Sequence, residues 1–109
     1  MATVRIDGEA INDWESFHLA FKEALGFPGF YGMNMDAWID CMSCLDDEEA
    51  GLSRLTLGDG ERLFIEVTDA EGFNSRLPEI FDALVDCSAF ANNRYVNRGK
   101  LPALALVFL

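Results

Sequence analysis

Apolar and polar positions along this chain change period several times, and each change marks a predicted element. In ATVRID, residues 2–7, Val4 and Ile6 alternate with polar neighbours, the two-residue period of a short strand, and Asp7-Gly8 supplies a turn. The period then lengthens. Trp14, Phe17, His18, Phe21, Ala24 and Leu25 recur at helical spacing, Asn12 with Glu15 resembles a capping box, and Gly26 is a natural C-cap. A helix over 13–25 follows. FPGFYG, residues 27–32, interrupts the pattern, because Pro28 disfavours helical backbone at Phe27 and two glycines flank the aromatics. After this loop Asn34 is placed as an N-cap, and Met35, Trp38, Ile39, Met42 and Leu45 form one apolar stripe, predicting a second helix over 35–45.

The second half reads less evenly. DDEEAG, residues 46–51, is an acidic linker or frayed helix end, GDGE at 58–61 is a turn, and RLFIEV at 62–67 is a strand with an almost continuous apolar run. Thr68 and Glu71 suit the cap of a short helix at 69–73. Pro78 fits the first turn of a longer helix, which Leu77, Ile80, Phe81, Leu84 and Cys87 or Ser88 carry to about residue 90. ANNRYVNRGK, residues 91–100, with its asparagines, a glycine and three of the eight basic residues, reads as a loop. PALALVFL, residues 102–109, is a strand apolar on both faces. Strands separated by helices, two of them apolar throughout, predict an α/β fold with parallel pairing buried under helices.

A length of 109 residues suits one domain, 1–109, and with half of its residues hydrophobic the chain can bury a modest core. Charge narrows the partners. Against 8 Lys and Arg stand 19 Asp and Glu, a net charge of -11 that repels nucleic acid and anionic membranes and draws in basic proteins. The N-terminus has acids and no long apolar run, so neither a signal peptide nor a membrane span is expected there, and the C-terminal apolar stretch is too short to cross a bilayer. Three cysteines do not suggest a disulfide framework, and a reducing, cytoplasmic setting is expected.

Candidate chemistry is sparse. On the second helix Asp36 and Asp40 stand four residues apart, off the apolar stripe, where like charges on one face repel by a few tenths of a kcal/mol. Asp36 gains from the helix dipole in the first turn, and Asp40 gains much less. As a general acid and base they lack any visible feature that would separate their pKa values. His18 sits among Trp14, Phe17 and Phe21 and reads as a packed helix residue. Cys41-Met-Ser-Cys44 is formally a CxxC, but it falls in the C-terminal half of a helix, where the dipole does not favour a thiolate, and zinc finds no second pair of ligands. Neither a catalytic residue nor a metal or cofactor site is therefore assigned. A binding surface explains more features at once: rigid aromatics at Phe30 and Tyr31 lead into a helix face carrying Asp36, Asp40 and Ser43, a combination suited to a cationic pocket, while the alternative is that Phe30 and Tyr31 fold inward as core and the aspartates are a solvated helix face.

FPGFYGMNMDAWIDCM, residues 27–42, resembles the barstar family, intracellular inhibitors of barnase-type ribonucleases, whose hallmark is a P-x-x-Y-G-x-N-x-D-A-x-x-D-C-like segment. Pro28, Tyr31, Gly32, Asn34, Asp36, Ala37, Asp40 and Cys41 match it. The first strand, the Phe17-His18 helix, RLFIEV and the final apolar strand come in the family's order, so the resemblance covers most of the chain. It implies a three-stranded parallel sheet packed by about four helices and a non-enzymatic immunity protein, a monomer when free. Its partner would be a basic, extracellular-type ribonuclease or related toxin.

The implied contact residues are Phe30, Gly32, Asn34, Asp36, Ile39, Asp40 and Ser43, with Asp40 the central phosphate mimic, Asp36 a second anionic anchor, and Asn34 and Gly32 loop contacts. Phe30 stands where the family typically has Tyr, and Ile39 where Trp is usual. Trp38 has moved one position earlier, and about 100 degrees of helix rotation carries it toward the core. Asp82 and Asp86 are the candidates for a further acidic contact. Two alternatives are kept: the same scaffold binding another toxin or a basic regulatory protein, and an enzyme or thiol-redox protein using Asp36 and Asp40 or Cys41 and Cys44.

Overall fold

The computed structural model describes residues 2–109. Three strands, β1 (Ala2–Asp7), β2 (Leu63–Thr68) and β3 (Leu104–Phe108), form one parallel sheet in the order β1-β2-β3. Four α-helices connect them: α1 (Trp14–Leu25), α2 (Met35–Met42), α3 (Ala70–Arg76) and α4 (Pro78–Asn97). The predicted α/β class and parallel pairing are both present.

Register sorts the strand residues onto two faces. Ala2, Val4 and Ile6 pair with Leu63, Ile65 and Val67, and these in turn with Leu104, Leu106 and Phe108, so one apolar face runs across all three strands. Leu63, Ile65 and Val67 on that face are fully buried with Phe17, Phe21 and Trp38. The other face is only half covered. Phe64 and Glu66 are half-buried there, Thr3 and Arg5 are exposed, and Arg5 pairs with Glu66 across the strands at 3.0 Å. The sheet is thus less enclosed than the apolar runs implied.

The caps explain where several elements begin and end. Asp13, not Asn12, is the N-cap of α1: its carboxylate accepts from the Ser16 N–H at 2.8 Å, and the Ser16 hydroxyl accepts from the Asp13 N–H at 3.1 Å. Serine at the third position thus does what Glu15 was expected to do. At its far end α1 stops at Gly26, with φ at 68°, as the sequence predicts. Gly8 opens a 3-10 turn, Gly8–Ala10, where a Cβ would lie 2.2 Å from the Thr68 carbonyl, so the close approach of the chain leaving β1 to the end of β2 needs glycine. Asp69 rather than Thr68 precedes α3, which extends past residue 73 to Arg76.

Two boundaries matter for function. The second helix ends at Met42 rather than 45, and the segment 91–100 is not a loop, because α4 continues through Asn97. Ala91 and Tyr95 extend the buried stripe of Ile80, Leu84 and Ser88. Packing along that stripe outweighs the poor helix propensity of the asparagines. Asn92 has its own reason to be there: its side-chain amide donates to the Leu104 carbonyl at 3.0 Å and accepts from the Leu104 N–H at 2.8 Å, fixing the start of β3. The acidic stretch after α2 contains a short 3-10 turn, Glu48–Ala50, capped by Asp47.

Candidate functional site: the 30–34 loop and the outer face of α2

The loop before α2 is anchored from inside. Tyr31 is buried, shares a hydrogen bond between its hydroxyl and His18 Nδ1, and packs its ring on Phe27 at 4.8 Å between centroids. Burial pushes the Tyr31 hydroxyl up and the His18 imidazole down, so both stay neutral at pH 7. Trp14 stacks on the outer side of His18, at 5.9 Å. His18 is therefore a packed, bonded residue, in keeping with its place on the apolar face of α1. With Tyr31 fixed inward, its neighbour Phe30 is thrown outward and is 78% exposed.

Asn34 converts the loop into a helix. Its side-chain oxygen accepts from the Ala37 N–H at 2.8 Å, and its amide donates back to the Gly32 carbonyl at 3.1 Å. Met33 between them adopts φ 54°, the left-handed region that non-glycine residues seldom occupy, and the two Asn34 bonds hold that turn in place. Gly32, Asn34, Asp36 and Asp40 are all exposed, and the last two stand one helical turn apart on α2.

The remaining predicted contact residues lie elsewhere. Ile39 is 8% exposed and belongs to the core, and Ser43 is 1% exposed, its hydroxyl donating to the Ile39 carbonyl at 2.6 Å. In the free chain the two residues expected to face a partner lie inside: the apolar stripe of α2 turns Ile39 inward, and the helix end encloses Ser43. Trp38 is also fully buried, edge-on to Phe21 at 5.5 Å, as its shifted position predicts.

Asp40 is not a bare anion. Arg94 Nη1 donates to its Oδ1 at 2.8 Å, and the same nitrogen lies 3.3 Å from Ser43 Oγ. Further along, Arg98 Nη2 donates to the Ser43 carbonyl at 3.0 Å and to Asp46 Oδ1 at 3.2 Å, and Lys100 also pairs with Asp46. The three basic residues of the segment first read as a loop thus neutralise the C-terminal end of α2. Tyr95 completes that end from below: its hydroxyl donates to the Met42 carbonyl at 2.7 Å and accepts from the Leu45 N–H at 3.0 Å. These bonds satisfy carbonyls that a helix terminus leaves open, and they stop α2 at Met42. Asp36 makes no ion pair among the described residues.

On α4, Cys87 lies near enough to α2 that, after burial, the charges of Asp86 and Asp36 both push its thiol up. Cys41 is buried and its thiol is pushed up to about 11, by burial first and then by Asp40 and Cys44, which is the opposite of an activated thiolate. Among the described residues no group of three or more His, Cys, Asp or Glu could hold a metal ion, and no helix is long and apolar enough to cross a membrane.

A "Putative ribonuclease inhibitor YrdF" from Bacillus subtilis (strain 168) is 40% identical over 43 residues, 39% of this chain and 47% of that protein. The match thus spans about half of the relative's length. The family model described as Barstar (barnase inhibitor) matches residues 1–107, so nearly the whole chain is accounted for, and this protein belongs to the barstar family.

Proposed function

We propose that this protein is a cytoplasmic inhibitor that inserts the 30–34 loop and the outer face of α2 into the active site of a basic, barnase-type ribonuclease. Asp40 is the central anion and stands in for an RNA phosphate. Asp36 is a second anchor, Gly32 and Asn34 are loop contacts, and Phe30 is the apolar rim. Ile39 and Ser43 back this surface from inside, so their part is to hold Asp36 and Asp40 at fixed spacing.

The observation that carries the reading is the presentation of Asp36 and Asp40 on an exposed helix face, one turn apart, behind a loop locked by Tyr31 and Asn34. Carboxylates carried on a backbone already fixed in place need only their own side chains ordered when a guanidinium or ammonium closes on them, and the resulting charge-assisted bonds are strong once water is excluded. The charge of -11 adds long-range attraction for a basic enzyme.

Inhibition of barnase by wild type and Asp40→Ala tests this, with circular dichroism to check that the fold is kept. Truncating one member of a desolvated charge pair costs 2 kcal/mol or more, so Asp40→Ala is expected to weaken inhibition by at least about 30-fold. Undiminished inhibition by a folded Asp40→Ala protein would remove Asp40 from the site.

A further inference from the structure

The anion on which the proposed surface turns is already engaged by the protein's own arginine. Arg94 reaches Asp40 with a single N–H, at 2.8 Å to Oδ1, and no described residue bonds to Oδ2. Ser43 Oγ at 3.3 Å and the Phe90 ring, 5.5 Å from the guanidinium carbon, hold the arginine there. Yet the side chains remain 42% and 62% exposed, so water reaches both ends of the pair. An ion pair this exposed amounts to only about a 1.4- to 5-fold preference for the closed arrangement. It is firm enough to be occupied and weak enough to be exchanged.

We propose that Arg94 is an internal competitor for Asp40, a specificity-determining residue that occupies the place a partner's guanidinium or ammonium takes. The inference rests on the reading of Asp40 as the central anion of the binding surface. A partner enters by displacing Arg94. A lone cation exchanges one exposed pair for another and gains nothing. A partner that also meets Asp36 and the 30–34 loop gains contacts for which Arg94 offers no competition. The arginine therefore filters the basic proteins that a charge of -11 attracts and favours the one whose surface fits the whole site.

Calorimetric titration with a hexa-arginine peptide at low ionic strength tests the competition directly. Arg94→Gln is expected to bind the peptide about two- to five-fold more tightly than Arg5→Gln. The latter variant removes the same charge from another exposed pair, Arg5–Glu66 on the sheet, and so cancels the general electrostatic gain. Arg94→Lys, which can still offer one N–H to Oδ1, is expected to stay within two-fold of wild type. In an Asp40→Asn background the advantage of Arg94→Gln over Arg5→Gln should vanish. Equal or weaker binding by Arg94→Gln, in a protein where Asp40→Asn does lower affinity, overturns the competition and leaves the reading of Asp40 standing. If Asp40→Asn changes nothing, that reading fails and the competitor falls with it.

Discussion

The two ends of α2 are built from similar residues and meet opposite fates. At the N-terminal end, Asn34 satisfies an open N–H, Asp36 lies in the first turn where the dipole favours a negative charge, and no described cation approaches it. At the C-terminal end the dipole opposes negative charge, but Asp40 and Asp46 are there, and α4 brings Arg94, Arg98, Lys100 and the Tyr95 hydroxyl against them. Local helix physics alone would have made Asp36 the more settled anion and Asp40 the more available one. The packing of α4 reverses this. Whether an exposed carboxylate is free to bind is decided by the element beside it, and two aspartates one turn apart can therefore serve different steps of recognition.

Breaking the buried support at the C-terminal end should have the largest effect. Tyr95→Phe leaves the Met42 carbonyl and the Leu45 N–H buried without their partner, and is expected to cost about 2–3 kcal/mol in urea denaturation. Asn34→Ala probes the other end. Loss of the cap should cost about 1 kcal/mol and loosen the Met33 turn, visible as faster amide exchange over residues 32–37, while the α4 contacts persist. A loss as large as that of Tyr95→Phe would mean that the two ends are not independent.

The smallest effect concerns charge alone. Burial by itself would raise the Asp46 carboxyl, but the Lys100 hydrogen bond and the charges of Arg98 and Lys100 outweigh it and hold the group below its ordinary value of 3.8. A carboxyl depressed in the fold adds stability that is complete above its unfolded value and disappears as pH falls through its folded value. Wild type should therefore lose this contribution below about pH 4, and Asp46→Asn should show a shallower acid limb in thermal denaturation followed against pH. An unchanged acid limb would place the neutralisation of that end with Arg94 and Asp40 instead.

Much of this molecule was legible from local pattern. Caps at Gly26 and Asn34, a proline opening α4, and strands with consistent faces all rest on interactions within a few residues, where the chemistry of one side chain is enough. The errors have a common cause. Asn92 and its neighbours read as loop because asparagine is a poor helix former, yet Ala91 and Tyr95 fall on the helical stripe of Leu84 and Ser88, a spacing that was available as a signal. Ser43 lay on the predicted outer face, and it is enclosed because α2 ends early and Arg94 and Arg98 close over it.

The α/β class, the parallel pairing, the Asn34-capped helix and the exposure of Asp36 all follow from local pattern, because hydrophobic period and capping act over short distances. The inward turn of Ile39 and Ser43, and the hold of Arg94 on Asp40 from 54 residues away in the chain, come instead from the packing of elements against one another. An ion pair of that separation leaves no periodic trace, since either partner is at home on a solvated helix face without the other. It exists because α4 runs far enough to carry its arginines past the end of α2, which depends on packing summed over the whole helix rather than on any one residue.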